Sequence, residues 1–253
     1  MKILERWKNL SKRKRIALIS VFASLALIIG ACAVYLSDYY RADMAAIESF
    51  APYDGAEYYA DEDGYTVFNS EGATQGFIFY PGGKVEADAY LPLMAALAEH
   101  GITSVLVKMP FNLAVFDINA ADGIREKLPE ITDWYTGGHS LGGSMAASYL
   151  EKHVSDFSGL VLLGAYSTAD LSDTALRALC LHGTEDGVMN REKHDGCLVN
   201  LPAGYTEQEI EGGCHAYFGM YGEQSGDGTA TMTPAEQITL TADIVSIFIK
   251  GGN

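Results

Sequence analysis

The sequence of 253 residues has little cysteine (four), little proline (seven) and two tryptophans, and it carries no GxGxxG, GxxxxGK[ST] or HExxH signature. Those absences leave a nucleotide, cofactor or metal requirement without support. Four cysteines, of which only Cys180, Cys197 and Cys214 follow the first apolar segment, are too few for a disulfide framework, and an odd number leaves a free thiol if a pair forms. Internal repeats and low-complexity tracts are also lacking, which excludes a solenoid or a disordered chain. Basic residues are scarce beyond position 36, where ten stand against 32 acidic ones. Such an excess repels phosphate backbones, so nucleic acid is not an expected partner.

What the chain has instead is 48% apolar residues with 11% aromatics, enough for one large core. Long apolar runs are confined to one place. Lys2, Arg6, Lys8, Lys12, Arg13, Lys14 and Arg15 precede Ile16 to Leu36, a stretch without a formal charge. At about 1.5 Å per residue this stretch crosses a bilayer core of about 30 Å. The expected organisation is a basic cytoplasmic segment (1–15), a transmembrane signal anchor (16–36), a linker helix (37–54) and a main domain (55–253) outside the cell membrane, by the positive-inside bias. A cleaved signal peptide is one alternative. Lipidation of Cys32, which follows Ile29, Gly30 and Ala31, is another.

Periodicity sets out the domain. Residues 58–68 read as a hairpin turning at Asp61 to Gly64. Strands follow at 76–80, 103–107, 134–138, 160–163, 178–181 and 205–210, and helices at 87–99, around 118–127, at 141–153 and at 234–249. Alternating strands and helices, with unbroken Val, Ile and Leu runs, describe an α/β fold whose mostly parallel sheet is covered on both faces.

The strand at 134–138 runs into Gly138, His139, Ser140, Leu141 and Gly142, a GxSxG pentapeptide between a strand and a helix. Such a turn holds a serine hydroxyl clear of the sheet, with the amides of the following helix aimed at the same point. Serine needs a histidine base and an orienting carboxylate to act as a nucleophile. Asp186, within GTEDG, and His215, within GGCHAYFG, supply them in the order Ser, Asp, His. Glu185 is the competing acid and His182 the competing base, but His182 precedes the acid. His100, His153 and His194 read as residues of polar helical stretches. The loop Tyr80, Pro81, Gly82, Gly83, Lys84 offers a second oxyanion donor, Gly83 or Lys84, beside the Leu141 amide. His194, Cys197, Cys214 and His215 match no common zinc spacing, and the turn Gly226, Asp227, Gly228 has too few carboxylates for a cation, so no metal is expected.

With FIFYPGGKV, MPFNLAVF, GGHSLGG, LHGTEDG and GGCHAYFGMYGEQSGDG in this order, the chain resembles the α/β-hydrolase superfamily, and within it the small single-domain enzymes near the dienelactone hydrolases. MPFNLAVF and YGEQSGDG are similar to segments of membrane-anchored bacterial members. The nucleophile departs from dienelactone hydrolases, which use cysteine where Ser140 stands, and Cys214 stands where a polar residue is expected. The resemblance implies a serine hydrolase acting on a small-molecule acyl substrate, an ester, thioester or amide, through an acyl-enzyme. An acyltransferase using the same residues, or a non-catalytic binding protein on the same fold, are the alternatives. Only residues 164–176 separate two strands where a cap is usually inserted. An open cleft is therefore expected, walled by 109–116 and 217–221.

Overall fold

A computed structural model describes residues 11–54, 56–62 and 64–251, so the basic positions 2–8 lie outside the described residues. The chain divides after Tyr39 into two units. The first is dominated by α1 (Lys12–Ser37), whose N-terminus is capped by Ser11 Oγ accepting from Lys14 N at 3.4 Å. None of its residues is buried, and Val21, Phe22, Leu27, Ile28, Ile29 and Val34 are exposed around it. At 26 residues it is about 39 Å long, a length and composition suited to a membrane span or a signal sequence.

The second unit is built on an eight-stranded sheet: β1 (Tyr58–Ala60), β2 (Tyr65–Phe68), β3 (Gln75–Tyr80), β4 (Thr103–Val107), β5 (Asp133–His139), β6 (Gly159–Leu163), β7 (Arg177–Gly183) and β8 (Thr206–Ile210). Their spatial order is β1-β2-β4-β3-β5-β6-β7-β8. The β1–β2 hairpin and the β2–β4 pair are antiparallel, and every pair from β4 to β8 is parallel. Alternation along each strand feeds two cores. Phe77, Phe79, Leu106 and Val161 join one cluster, whereas Ile78, Tyr80, Val105, Leu160 and Leu162 join the other.

The expected strands all form, and the C-terminal helix spans Pro234–Ile249 as anticipated, held by a capping box between Thr233 and Glu236. Other elements differ. Residues 37–54 are not a single linker helix but α2 (Met44–Glu48) and α3 (Ala51–Asp54), with Ile47 and Phe50 buried in the core. Tyr40 N donates to Lys84 O at 2.8 Å and Asp43 N to Met220 O at 2.8 Å, so the domain begins near Tyr40 and not at position 55. Pro92, which lacks an amide, fits the first turn of α4 (Leu91–Glu99), and the preceding Ala87–Tyr90 form a 3₁₀ turn. The helix anticipated around 118–127 shrinks to α5 (Ile124–Lys127), which starts only after Gly123 at φ 76°. It is followed by α6 (Leu141–Leu150). The polar stretch that holds His194 forms α7 (Arg191–Cys197), capped by Asn190 Oδ1 accepting from Lys193 N at 2.8 Å. The C-terminal helix is thus α8. Between β6 and β7, residues 164–176 contain no helix.

Candidate active site

The site is assembled at the C-terminal ends of the parallel strands. Ser140 stands between β5 and α6 with φ 52° and ψ −125°, a conformation that costs a non-glycine residue of order 1–3 kcal/mol. Its amide donates to Leu163 O at 2.9 Å, which fixes the turn against the end of β6. Gly142 is pressed onto the end of β3: a Cβ there would overlap the Tyr80 and Pro81 carbonyls. The sharp turn therefore exists because small residues let α6 start directly on its neighbour.

The Leu141 amide is the first of α6 and, like every such amide, has no acceptor within its own helix. Gly83 lies beside it, since a Cβ added to Gly83 would stand 2.8 Å from Leu141 Cδ2. The neighbouring Lys84 amide already donates to Asn112 O at 2.7 Å. Of the two loop amides considered from the sequence, Lys84 is engaged elsewhere.

Asp186 and His215 come together as a buried pair, His215 Nδ1–H donating to Asp186 Oδ2 at 2.8 Å. Asp186 Oδ1 accepts from the amides of Val188 (2.9 Å) and Met189 (2.8 Å). Burial alone would raise the Asp186 pKa, but His215 and the two amides outweigh it and hold the carboxyl below its usual range. Glu185, the competing acid, is exposed. His215 Nε2 is buried and has no hydrogen-bond partner among the described residues. Gly164, at φ 51°, explains how the pair reaches the elbow. It follows Leu163, the acceptor of the Ser140 amide, and a Cβ on it would stand 2.9 Å from His215 Nδ1 and 3.1 Å from Asp186 Oδ2. Serine, histidine and aspartate thus converge on the 163–164 turn.

Two supports escaped sequence reasoning. Asp227, dismissed as a cation ligand, receives the amides of Gly187 (3.1 Å) and His215 (3.1 Å) on Oδ1 and that of Ala216 (2.8 Å) on Oδ2. It therefore joins the acid-bearing loop to the histidine-bearing loop. From the other side Gln237 of α8 accepts from Cys214 N at 3.0 Å and donates to Cys214 O at 2.8 Å. The second support is His139, whose ring lies 4.4 Å from that of His215. Tyr90 Oη accepts from Gly82 N (3.1 Å) and sits 2.8 Å from His139 Nδ1, leaving its own proton for that nitrogen. Burial, followed by the proximity of His215, pushes the His139 pKa well below the ordinary value. The acidic tip of a Gly-Asp-Gly turn was the only sequence signal for Asp227; nothing marked Tyr90.

His182 is not at the site. It pairs with Glu209 through Nε2 at 3.1 Å. His194, read from the sequence as part of a polar helical stretch, is buried at 1% exposure. The expected walls are half right: Phe111, Val115 and Phe116 are exposed, whereas Phe218, Met220 and Tyr221 belong to the core and only Tyr217 is half-buried. All four cysteines are free, so Cys214 is not half of a disulfide; burial, then Asp227, pushes its thiol up to about 12.

A mostly parallel, doubly covered sheet with a serine on a strained strand-to-helix turn, and an Asp–His pair after the last two strands, defines the α/β-hydrolase fold. The chain belongs to the alpha/beta hydrolase family, whose sequence model matches residues 76–239. Solved structures share the fold. A dienelactone hydrolase from Anabaena variabilis superposes with a TM-score of 0.57 at 15% identity, over 78% of this chain and 98% of that one. The esterase domain of a Rhodothermus marinus protein gives 0.56 at 11% identity, over 78% and 97%. A soluble variant of monoglyceride lipase from Saccharomyces cerevisiae, in complex with a substrate analogue, gives 0.55 at 10% identity, over 78% and 94%. No curated protein sequence matches the chain.

Proposed function

We propose that the protein is a membrane-anchored serine hydrolase that cleaves a carboxylic ester, or a related thioester or amide, through an acyl-enzyme. The observation that carries this reading is the buried His215–Asp186 pair, with Nε2 unpartnered, packed on the turn that also holds the Ser140 amide. His215 Nε2 takes the Ser140 proton as Oγ attacks the carbonyl carbon. The tetrahedral oxyanion is held by the amides of Leu141 and Gly83. The Nε2 proton then passes to the leaving group, the C–O bond breaks, and water, deprotonated by the same nitrogen, releases the acid. Asp186 keeps Nδ1 protonated throughout, so Nε2 always begins each half-reaction as an acceptor.

The absence of a helix in 164–176 supports an open cleft, and the exposed Phe111 and Phe116 rings, 5.7 Å apart, supply an apolar rim too small for a long chain. Among p-nitrophenyl acetate, butyrate and palmitate, the short esters should be turned over with the higher kcat/KM. Preference for palmitate, or a rate that jumps once the substrate forms micelles, would contradict the open cleft.

Asp227 is a positioning residue in this scheme. Asp227→Ala should lower kcat by about 10²-fold, the cost of a small misplacement of the base, and change KM far less. Loss through KM alone would assign Asp227 to binding instead.

The apolar stretch of α1 from Ile16 onward, preceded by Lys12 to Arg15 in its first turn and by the further basic positions, supports a signal anchor with the domain outside the membrane. A reporter enzyme that is active only outside, fused to the C-terminus, should be active; an inactive fusion at normal abundance would reverse the orientation.

A further inference from the structure

Helix α7 closes over a second histidine cluster. His182 on β7 and His194 on α7 are 3% and 1% exposed, with ring centroids 5.3 Å apart, and Glu207 of β8 reaches in from the sheet edge. Each histidine has a carboxylate on its outer nitrogen: Glu209 Oε1 at 3.1 Å from His182 Nε2, and Asp195 Oδ1 at 3.3 Å from His194 Nδ1. Carboxylates only accept, so these nitrogens carry the protons. The inner nitrogens, His182 Nδ1 and His194 Nε2, then present lone pairs, and both are buried without a hydrogen-bond partner. They face Glu207 Oε1, another acceptor, at 3.9 Å and 3.5 Å.

Three acceptors turned toward one point repel one another unless a positive charge stands between them. A proton serves poorly: 3.5 and 3.9 Å are too long for a hydrogen bond from either ring to Glu207. A metal ion fits better. Tetrahedral zinc with bonds of about 2.0–2.1 Å sets its ligands about 3.4 Å apart, and the three atoms here already lie within 4.8 Å of one another. The outer carboxylates on both rings are the partners that metal-bound histidines ordinarily have.

We propose that His182 Nδ1, His194 Nε2 and Glu207 Oε1 form a binding site for a divalent metal ion of the zinc type, which fastens α7 to β7 and β8. His182 and His194 flank the loop that carries Asp186, so the ion anchors both ends of that loop. The fourth position is left to water. The site shares no residue with the Ser140 centre and stands whether or not that centre is a hydrolase.

The test uses the full-length protein in detergent, stripped with a chelator and titrated with zinc chloride against a chromophoric competitor, and in parallel with cobalt(II) chloride. One zinc per chain is expected, together with the visible absorption of tetrahedral cobalt(II) and a higher Tm on zinc addition. Glu207→Gln should weaken zinc by more than the roughly 10–100-fold that loss of an outer carboxylate costs, and Glu209→Gln should fall within that range. His194→Gln should abolish binding. Glu207 and Glu209 are exposed, so their variants keep the fold, which an unchanged metal-free Tm verifies. No stoichiometric zinc in the wild type, or zinc bound equally well by folded Glu207→Gln, would overturn the proposal.

Discussion

Ser140→Ala is expected to lower kcat by a factor on the order of 10⁶, because the acyl-enzyme route then has no nucleophile. The fold should survive, since Ser140 is half-buried and the turn is held by backbone contacts to Leu163. Ser140→Gly separates chemistry from strain. It should be equally inactive, yet more thermostable than the alanine variant, because glycine adopts φ 52° and ψ −125° without the penalty that a Cβ incurs there. Residual turnover above a hundredth of wild type in either variant would place the nucleophile elsewhere. Equal stability of the two variants would remove strain from the account of the elbow.

Asp186→Asn should cost about 10⁴ in kcat, with KM little changed, because an amide can present its NH₂ to the ring and favour the tautomer whose Nε2 carries the proton. A second consequence appears in acid. The native pKa of Asp186 is depressed, so its ionised form stabilises the fold fully above the unfolded value of about 4, and that contribution disappears as pH falls through the lower native value. The asparagine variant should therefore show a flatter decline of Tm between about pH 4 and 2 than the wild type. Glu185→Gln is the control: its side chain is exposed, and a larger loss of kcat there than in Asp186→Asn would identify the wrong acid.

The strands were legible because each is a short apolar run between turn residues, and the parallel sheet followed from their alternation with helices. GxSxG between a strand and a helix marked Ser140, its place in the turn separated Asp186 from Glu185, and chain order separated His215 from His182. What could not be read depends on contacts distant in sequence. Residues 37–54 looked like a linker helix because their apolar positions have helical spacing, whereas they form two short helices with Ile47 and Phe50 buried in the core. The region around 118–127 had the composition of a helix, but Gly123 in the left-handed region delays its start. The sequence shows His194 only as part of a polar helical stretch, and the docking of α7 on β8 buries it. Asp227 shows in the sequence only as the acid of a Gly-Asp-Gly turn: its carboxylate serves backbone amides of two other loops, a role with no local pattern.

The account rests on an activated hydroxyl at Ser140, and covalent trapping reads this most directly. The full-length protein, treated briefly with a fluorophosphonate and digested, should carry one phosphonyl adduct per chain, on the peptide containing Ser140. His215→Ala should slow its formation by orders of magnitude while the protein stays folded. An adduct on any other residue, or labelling of Ser140 at the same rate without His215, would contradict it.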